Sequence, residues 1–257
     1  MPSFKPSTKS ELQAAVNLWI SDNSQAVTDY GEINTWDTSL ITDMSNLFKD
    51  QTTFNDDIGK WEVSNVTNMS YMFSGATAFN QDIGTGTATK TVASGSFMGF
   101  PTYSTITYTS WDTSNVTNME YMFYNASTFN QNIGNWNTSK VTNMGYMFYG
   151  ATTFDQDISI KTVSVNGVKY SAWKTSEVTN MQQMFNQAEA FNQNIGNWET
   201  SKVTNMSNMF YGATTFDQDI GTKAASRYSH TVTYTTCLLY TSPSPRDAHE
   251  SRMPSSA

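Results

Sequence analysis

Trp111-Asp-Thr-Ser-Asn-Val-Thr-Asn-Met-Glu-Tyr-Met-Phe123 decides the architecture, because versions of it return along most of the chain. It recurs from Trp36, Trp61, Trp136, Trp173 and Trp198, each time with Ser at +3, Ile or Val at +5, Thr at +6, Met at +8 and Phe at +12. Trp36 to Trp61, Trp111 to Trp136 and Trp173 to Trp198 are each separated by 25 residues. A fixed period of this size is the mark of a repeat array, in which each unit completes the core of its neighbour. The two longer gaps, from Trp61 to Trp111 and from Trp136 to Trp173, exceed the period by 25 and 12 residues. Both excesses enter between an Ile-Gly or Ile-Ser dipeptide and the next Trp, so the insertions belong on one face of a stack.

Within a unit, Met69, Met72, Phe73, Ala76 and Phe79 follow the spacing of one face of a short helix or of linked turns. The β-branched content of residues 61–67 reads as a short strand. The expected fold is an α/β repeat solenoid, leucine-rich-repeat-like, with a short parallel strand and a helical turn per coil; a parallel β-helix-like solenoid is the alternative. Residues 162–170 alternate around Asn166-Gly167, a strong hairpin signal, and residues 105–109 and 231–235 read as returning strands of similar hairpins. Three β-tongues are thus expected along one edge.

Three segments follow. Residues 1–30 hold a capping helix, with Leu12, Ala15, Val16 and Trp19 at helical spacing behind a capping box at Thr8–Glu11, and then a polar connection. Residues 31–236 form the repeat body with its last unit cut short. Residues 237–257 depart from the repeat vocabulary: Cys237-Leu-Leu-Tyr-Thr-Ser-Pro-Ser-Pro-Arg-Asp247 and the final seven residues resemble translated sequencing-adapter DNA. They are expected to be a non-native, disordered tail. Position 237 stands where the next Trp is due, which suggests a chain interrupted in mid-repeat.

Charged residues make up 14% of the chain and the net charge is −8, with no Lys/Arg cluster, which argues against nucleic acid as a partner. No apolar run is long enough to span a bilayer, and the opening Met-Pro-Ser-Phe-Lys-Pro lacks the apolar core of a signal peptide.

The Trp-Asp-Thr-Ser-x-Val-Thr-Asn-Met-x-x-Met-Phe…Phe-Asn-Gln-Asp-Ile-Gly unit resembles the repeat of BspA-like leucine-rich-repeat surface proteins, including the related repeat of mycoplasma lipoproteins. The resemblance covers nearly all of residues 31–236. It implies a cell-surface or secreted protein used for adhesion and protein binding, with no catalytic residues to transfer and no cofactor.

Candidate sites are columns rather than clusters. Thr67, Thr117, Thr142, Thr179 and Thr204, beside Ser64, Ser114, Ser139, Ser176 and Ser201, should line up as an outward hydroxyl face that binds a protein or a surface glycan. The same array could order ice. Asp82, Asp155, Asp157, Asp217 and Asp219 recur near Gly or Ser and could hold Ca²⁺ between coils, supporting a Ca²⁺-assisted glycan-binding module. The competing assignment is that stacked Asn and Asp side chains hydrogen-bond backbone in successive turns. The recurrent Met pairs and the Trp series could serve soft metals or sugars, but their helical spacing and regular recurrence assign them to the interior. His230 has no second His or Cys for a metal and reads as a loop residue.

Overall fold

The computed structural model describes residues 3–98 and 100–220. The tongue expected at 231–235, His230, the point at which the last unit is expected to be cut short and the tail at 237–257 therefore lie outside the described residues.

The chain begins with two helices. In α1 (Lys9–Ser21), Thr8 accepts a hydrogen bond from the Glu11 N–H, while the Glu11 carboxylate accepts from the N–H and hydroxyl of Ser7. The stretch expected as a polar connection instead folds as α2 (Asn23–Tyr30). Asp22 explains why: its N–H closes α1 on the Leu18 carbonyl at 2.7 Å, and its carboxylate caps α2 by accepting from Gln25 N–H at 3.1 Å. Gly31, at φ +74°, ends α2. Leu12, Ala15, Val16 and Trp19 are buried, and the Trp19 indole packs edge-on against Trp36, with centroids 5.9 Å apart. Gln13 and Lys9 reach the Leu47 carbonyl and Asp43, so the helices pack against the first repeat.

The six repeats stack in sequence order as coils 1 to 6, which start at Trp36, Trp61, Trp111, Trp136, Trp173 and Trp198. The coils are not the expected α/β leucine-rich-repeat-like solenoid, nor a parallel β-helix. Among the described residues the α-helices are α1 and α2, and the strands form two separate two-stranded antiparallel sheets. Neighbouring coils meet in parallel only at isolated bridges, from Asp43 to Asn68, Asn118, Asn143, Asn180 and Asn205 in turn.

The backbone of coil 2 shows what defeats both helix and strand. Met72, Ala76 and Phe79 donate backward within the coil to Met69, Phe73 and Ala76, as in successive turns. Met69, Tyr71, Phe73 and Gly75 donate instead across to Asn118, Glu120, Met122 and Tyr124 of coil 3. Tyr71 and Gly75 have φ of +59° and +72°, and the equivalent positions of the other coils are left-handed too. A helix cannot pass a left-handed residue every four positions, and a strand cannot send half its N–H groups back on itself. The spacing 0, 3, 4, 7, 10 is real, but linked turns produce it.

Those turns aim the apolar side chains inward. Phe48, Phe73, Phe123, Phe148, Phe185 and Phe210 form one column with centroids 5.4–5.6 Å apart. Phe54, Phe79, Phe129, Phe154, Phe191 and Phe216 form a second at 5.8–6.1 Å. Each indole N–H from Trp61 onward donates to the carbonyl of the Ile that precedes the Trp of the previous coil, as Trp136 does to Ile83, which precedes Trp111, at 2.9 Å. Met69, Met119, Met144 and Met181 are fully buried between them. The methionine and tryptophan series are therefore interior.

Two hairpins leave the stack. β1 (Gly86–Phe97) pairs with β2 (Phe100–Ser110), with a register shift between Ala93 and Gly95; β3 (Lys161–Val165) pairs with β4 (Val168–Ala172) around Asn166-Gly167. After each, Trp111 and Trp173 adopt φ near +50° and donate to the Trp61 and Trp136 carbonyls, which returns the chain to the stack.

Candidate binding faces

The threonines at +6 form a continuous exposed column. Each of Thr67, Thr117, Thr142, Thr179 and Thr204 donates its N–H to the carbonyl of the same position in the previous coil at 2.8–2.9 Å. Their hydroxyls donate to the same carbonyls at 3.0–3.2 Å. The hydroxyl hydrogens are thus engaged between coils, and what remains for a ligand is a row of oxygen lone pairs and methyl groups. The serines do not lie flush with this row. Ser64, Ser114, Ser139 and Ser176 are half-buried and Ser201 is exposed. The N–H groups of Ser114 and Ser139 are held by Asp112 and Asn137 two residues back.

Of the acidic residues read as a possible Ca²⁺ ladder, Asp82, Asp155 and Asp157 act as backbone acceptors. Asp155 accepts from the N–H of Asn192 at 2.9 Å, and the Asp217 N–H is accepted by Asn192. The same link runs from Asn55 through Asn80 and Asn130 to Asp155. Asp82 and Asp157 each accept the N–H two residues ahead, at 2.9 and 3.0 Å. Burial alone would raise the Asp157 carboxyl; hydrogen bonds from Lys161 and Ser159 overcome that and hold it at about 2. Asp219 keeps the equivalent place in coil 6. Among the described residues no three His, Cys, Asp or Glu side chains gather as a metal group. Asp82, Asp155 and Asp157 thus hydrogen-bond backbone N–H groups, as in the competing assignment.

A third face was not singled out from the sequence. Position +10 carries Tyr71, Tyr121 and Tyr146, whose rings stack at 4.5 and 4.4 Å with planes within 7° of parallel. Position +13 carries Tyr124 and Tyr149, stacked at 4.7 Å, and later Tyr211. The Lys49 ammonium sits 5.2 Å over the Tyr71 ring, closing one end of the first column. Burial raises the Tyr121 phenol, as do its neighbours Tyr146 and Tyr71, so its hydroxyl keeps its proton. A sequence signal existed, Tyr at +10 and +13 in three units each, but it emerges only when the units are aligned on Trp.

The first hairpin is bound down at its base. Lys90 on β1 donates to Asp37 at 2.9 Å and to Glu62 at 2.5 Å, and Asp37 also pairs with Lys5 at 3.2 Å. Burial would raise the Asp37 carboxyl, but hydrogen bonds from Ser39, Lys90 and Lys5 hold it at about 2. Tyr108 donates to the Lys60 carbonyl. The two hairpins also touch: Thr87 donates to the Asn166 amide oxygen, and the Asn166 amide donates to Thr109 at 2.7 Å. Farther along, Met98, Phe100 and Tyr103 are exposed. No helix among the described residues is long and apolar enough to cross a membrane.

Residues 19–100, 91–170 and 160–236 each match the family model described as Mycoplasma protein of unknown function, DUF285. No curated protein and no solved structure matches the chain.

Proposed function

From the chain's membership of the mycoplasma family of unknown function DUF285, we propose that it is a non-catalytic repeat module that binds another protein. On this reading it works at a cell surface or in secreted form, as the resemblance to BspA-like surface proteins implies. The observation that carries it is the paired display along one stack: an exposed threonine column and two clasped hairpins, repeated without change in the core. Regular arrays of this kind offer extended surfaces on which many weak contacts add up. Asp82, Asp155 and Asp157 are engaged with backbone N–H groups while the threonine column faces solvent, which favours the protein-binding reading over the Ca²⁺-assisted glycan one.

Binding of the purified chain to a panel of defined extracellular proteins, with a glycan array probed in parallel with and without Ca²⁺, tests the proposal. Saturable protein binding that is lost in Thr117→Lys and Thr142→Lys supports it. Ca²⁺-dependent glycan hits with no protein binding would replace it.

A further inference from the structure

Position +10 is left-handed in every coil, with φ from +51° to +62°. Coils 1 and 6 fill it with Asn46 and Asn208, a side chain that tolerates this conformation, whereas coils 2, 3 and 4 fill it with Tyr71, Tyr121 and Tyr146. A bulky side chain costs more there than asparagine does, so the turn itself gives no reason for a ring. Stacking of the rings offsets that cost. Phenylalanine would stack as well, yet each of the three rings carries a hydroxyl.

These phenols are held unusually close. Tyr71 and Tyr121 stack at 4.5 Å and Tyr121 and Tyr146 at 4.4 Å, each pair within 7° of parallel, whereas the interior phenylalanine columns keep 5.4–6.1 Å. Near-parallel rings at the closer spacing bring carbons of adjacent rings near van der Waals contact. The Tyr121 and Tyr146 hydroxyls lie within reach of one another, which sets the carbons beside those hydroxyls face to face. Tyr124 and Tyr149 stack at 4.7 Å and join the column at 5.5 Å from Tyr121 and 6.2 Å from Tyr146. Five half-buried phenols thus form one network, with the Glu120 carboxylate near Tyr71 and Tyr121. Residues 1–236 contain no cysteine that would intercept a radical formed there.

We propose that the Tyr71–Tyr121–Tyr146 column is a site of oxidative cross-linking, at which a haem peroxidase supplied with hydrogen peroxide joins neighbouring coils through a dityrosine bond. Each of two adjacent rings gives up one electron and its hydroxyl proton, the proton passing to Glu120 or to water. A carbon–carbon bond then forms between the two carbons beside the hydroxyls. The hydrogens on those carbons move to the oxygens, which restores both phenols. Two electrons and two protons leave in all, and they reduce one hydrogen peroxide to two waters. The new bond closes a loop of chain between coils, so it restricts the unfolded form and ties together units whose stability rests on their neighbours.

The test is treatment of the whole chain, at low concentration, with a haem peroxidase and hydrogen peroxide, read by intact mass, dityrosine fluorescence and peptide mapping. The product should be a monomer lighter by two hydrogen atoms, its cross-link mapped to Tyr121 with Tyr71 or Tyr146. Rings already face to face couple without an encounter between chains, so the yield per chain should survive a roughly tenfold dilution. Tyr121→Phe keeps the ring and the stack but has no hydroxyl to oxidise, and it should cut the yield at least about fivefold, the remainder mapping to Tyr124 and Tyr149. Tyr211→Phe, at an exposed ring outside the column, should leave the yield unchanged. The oxidised parent should also melt at a higher temperature than oxidised Tyr121→Phe. No dityrosine, cross-links confined to dimers and lost on dilution, a map that names Tyr103 or Tyr211, or equal yield from Tyr121→Phe overturns the site; the map on the parent decides even where the variant fails to fold.

Discussion

Thr117 gives both its N–H and its hydroxyl hydrogen to the carbonyl of Thr67, at 2.8 and 3.0 Å. The same double donation recurs up the column, so the exposed threonines help to hold the coils together. Because the N–H alone still answers the carbonyl, the hydroxyl is the dispensable half. Thr142→Val should cost less than about 0.5 kcal/mol. Met147→Ala, by contrast, opens a cavity at a fully buried position and should cost roughly 2–5 kcal/mol. Urea melts of the two variants compare them directly; equal midpoints would mean the inside and outside are wrongly assigned.

The Trp136 indole donates to the Ile83 carbonyl at 2.9 Å in a fully buried setting. Trp136→Phe keeps an aromatic ring but leaves that carbonyl without the indole donor, which should cost roughly 1–3 kcal/mol beyond the lost packing. Thermal denaturation of the variant beside Trp198→Phe, where the ring is only half-buried, should show the larger loss at Trp136.

Acid should loosen the attachment of the first hairpin. Asp37 is held at about 2, below its ordinary 3.8, so its contribution to stability is full above about pH 4 and is lost as pH falls toward 2. In Lys90→Met one of the hydrogen bonds that lowers Asp37 is gone, so its carboxyl moves back toward its ordinary value, and the acid loss should be smaller and complete at a higher pH. Melting temperature against pH for both proteins checks the sign; a variant that loses as much as the parent, or more, between about pH 4 and 2 would refute it.

The same substitution should have a local signature. Lys90 joins β1 to Asp37 of coil 1 and Glu62 of coil 2, so Lys90→Met should speed amide exchange across β1 and β2 while exchange at Met69, Phe73 and Phe79 stays unchanged. Faster exchange throughout coil 2 would show that the hairpin supports the core rather than resting on it.

Much of the interior was legible because burial leaves a direct mark on side-chain type. Trp36, Phe73, Met69 and Ile83 recur at fixed offsets, and all are buried. The backbone between them was not legible. Tyr71, Tyr121 and Gln183 adopt a left-handed conformation normally left to glycine or asparagine, and it is held by hydrogen bonds to the next coil, which no local pattern encodes. That is why the apolar spacing of Met69 to Phe79 suggested a helix and the branched residues before it a strand. The faces fared similarly. The threonine column could be placed from +6 alone, but its hydroxyls proved to be engaged between coils. The Lys90 clamp joins residues far apart in the chain, and the tyrosine columns depend on which side chains meet across coils.

Both hairpins begin and end at one junction. For the first, Gly86 faces Ser110, the Thr85 hydroxyl donates to the Trp111 carbonyl at 2.9 Å, and the Trp111 N–H reaches the Trp61 carbonyl. Nothing in that closure measures how many residues lie within the loop, and the two excursions differ about twofold in length while the coils on either side of them keep the same contacts. Descendants of such a chain can lengthen, trim or exchange a hairpin by mutation at one junction and inherit the stack unaltered. What the molecule presents to its surroundings is thereby free to drift faster than the body that presents it.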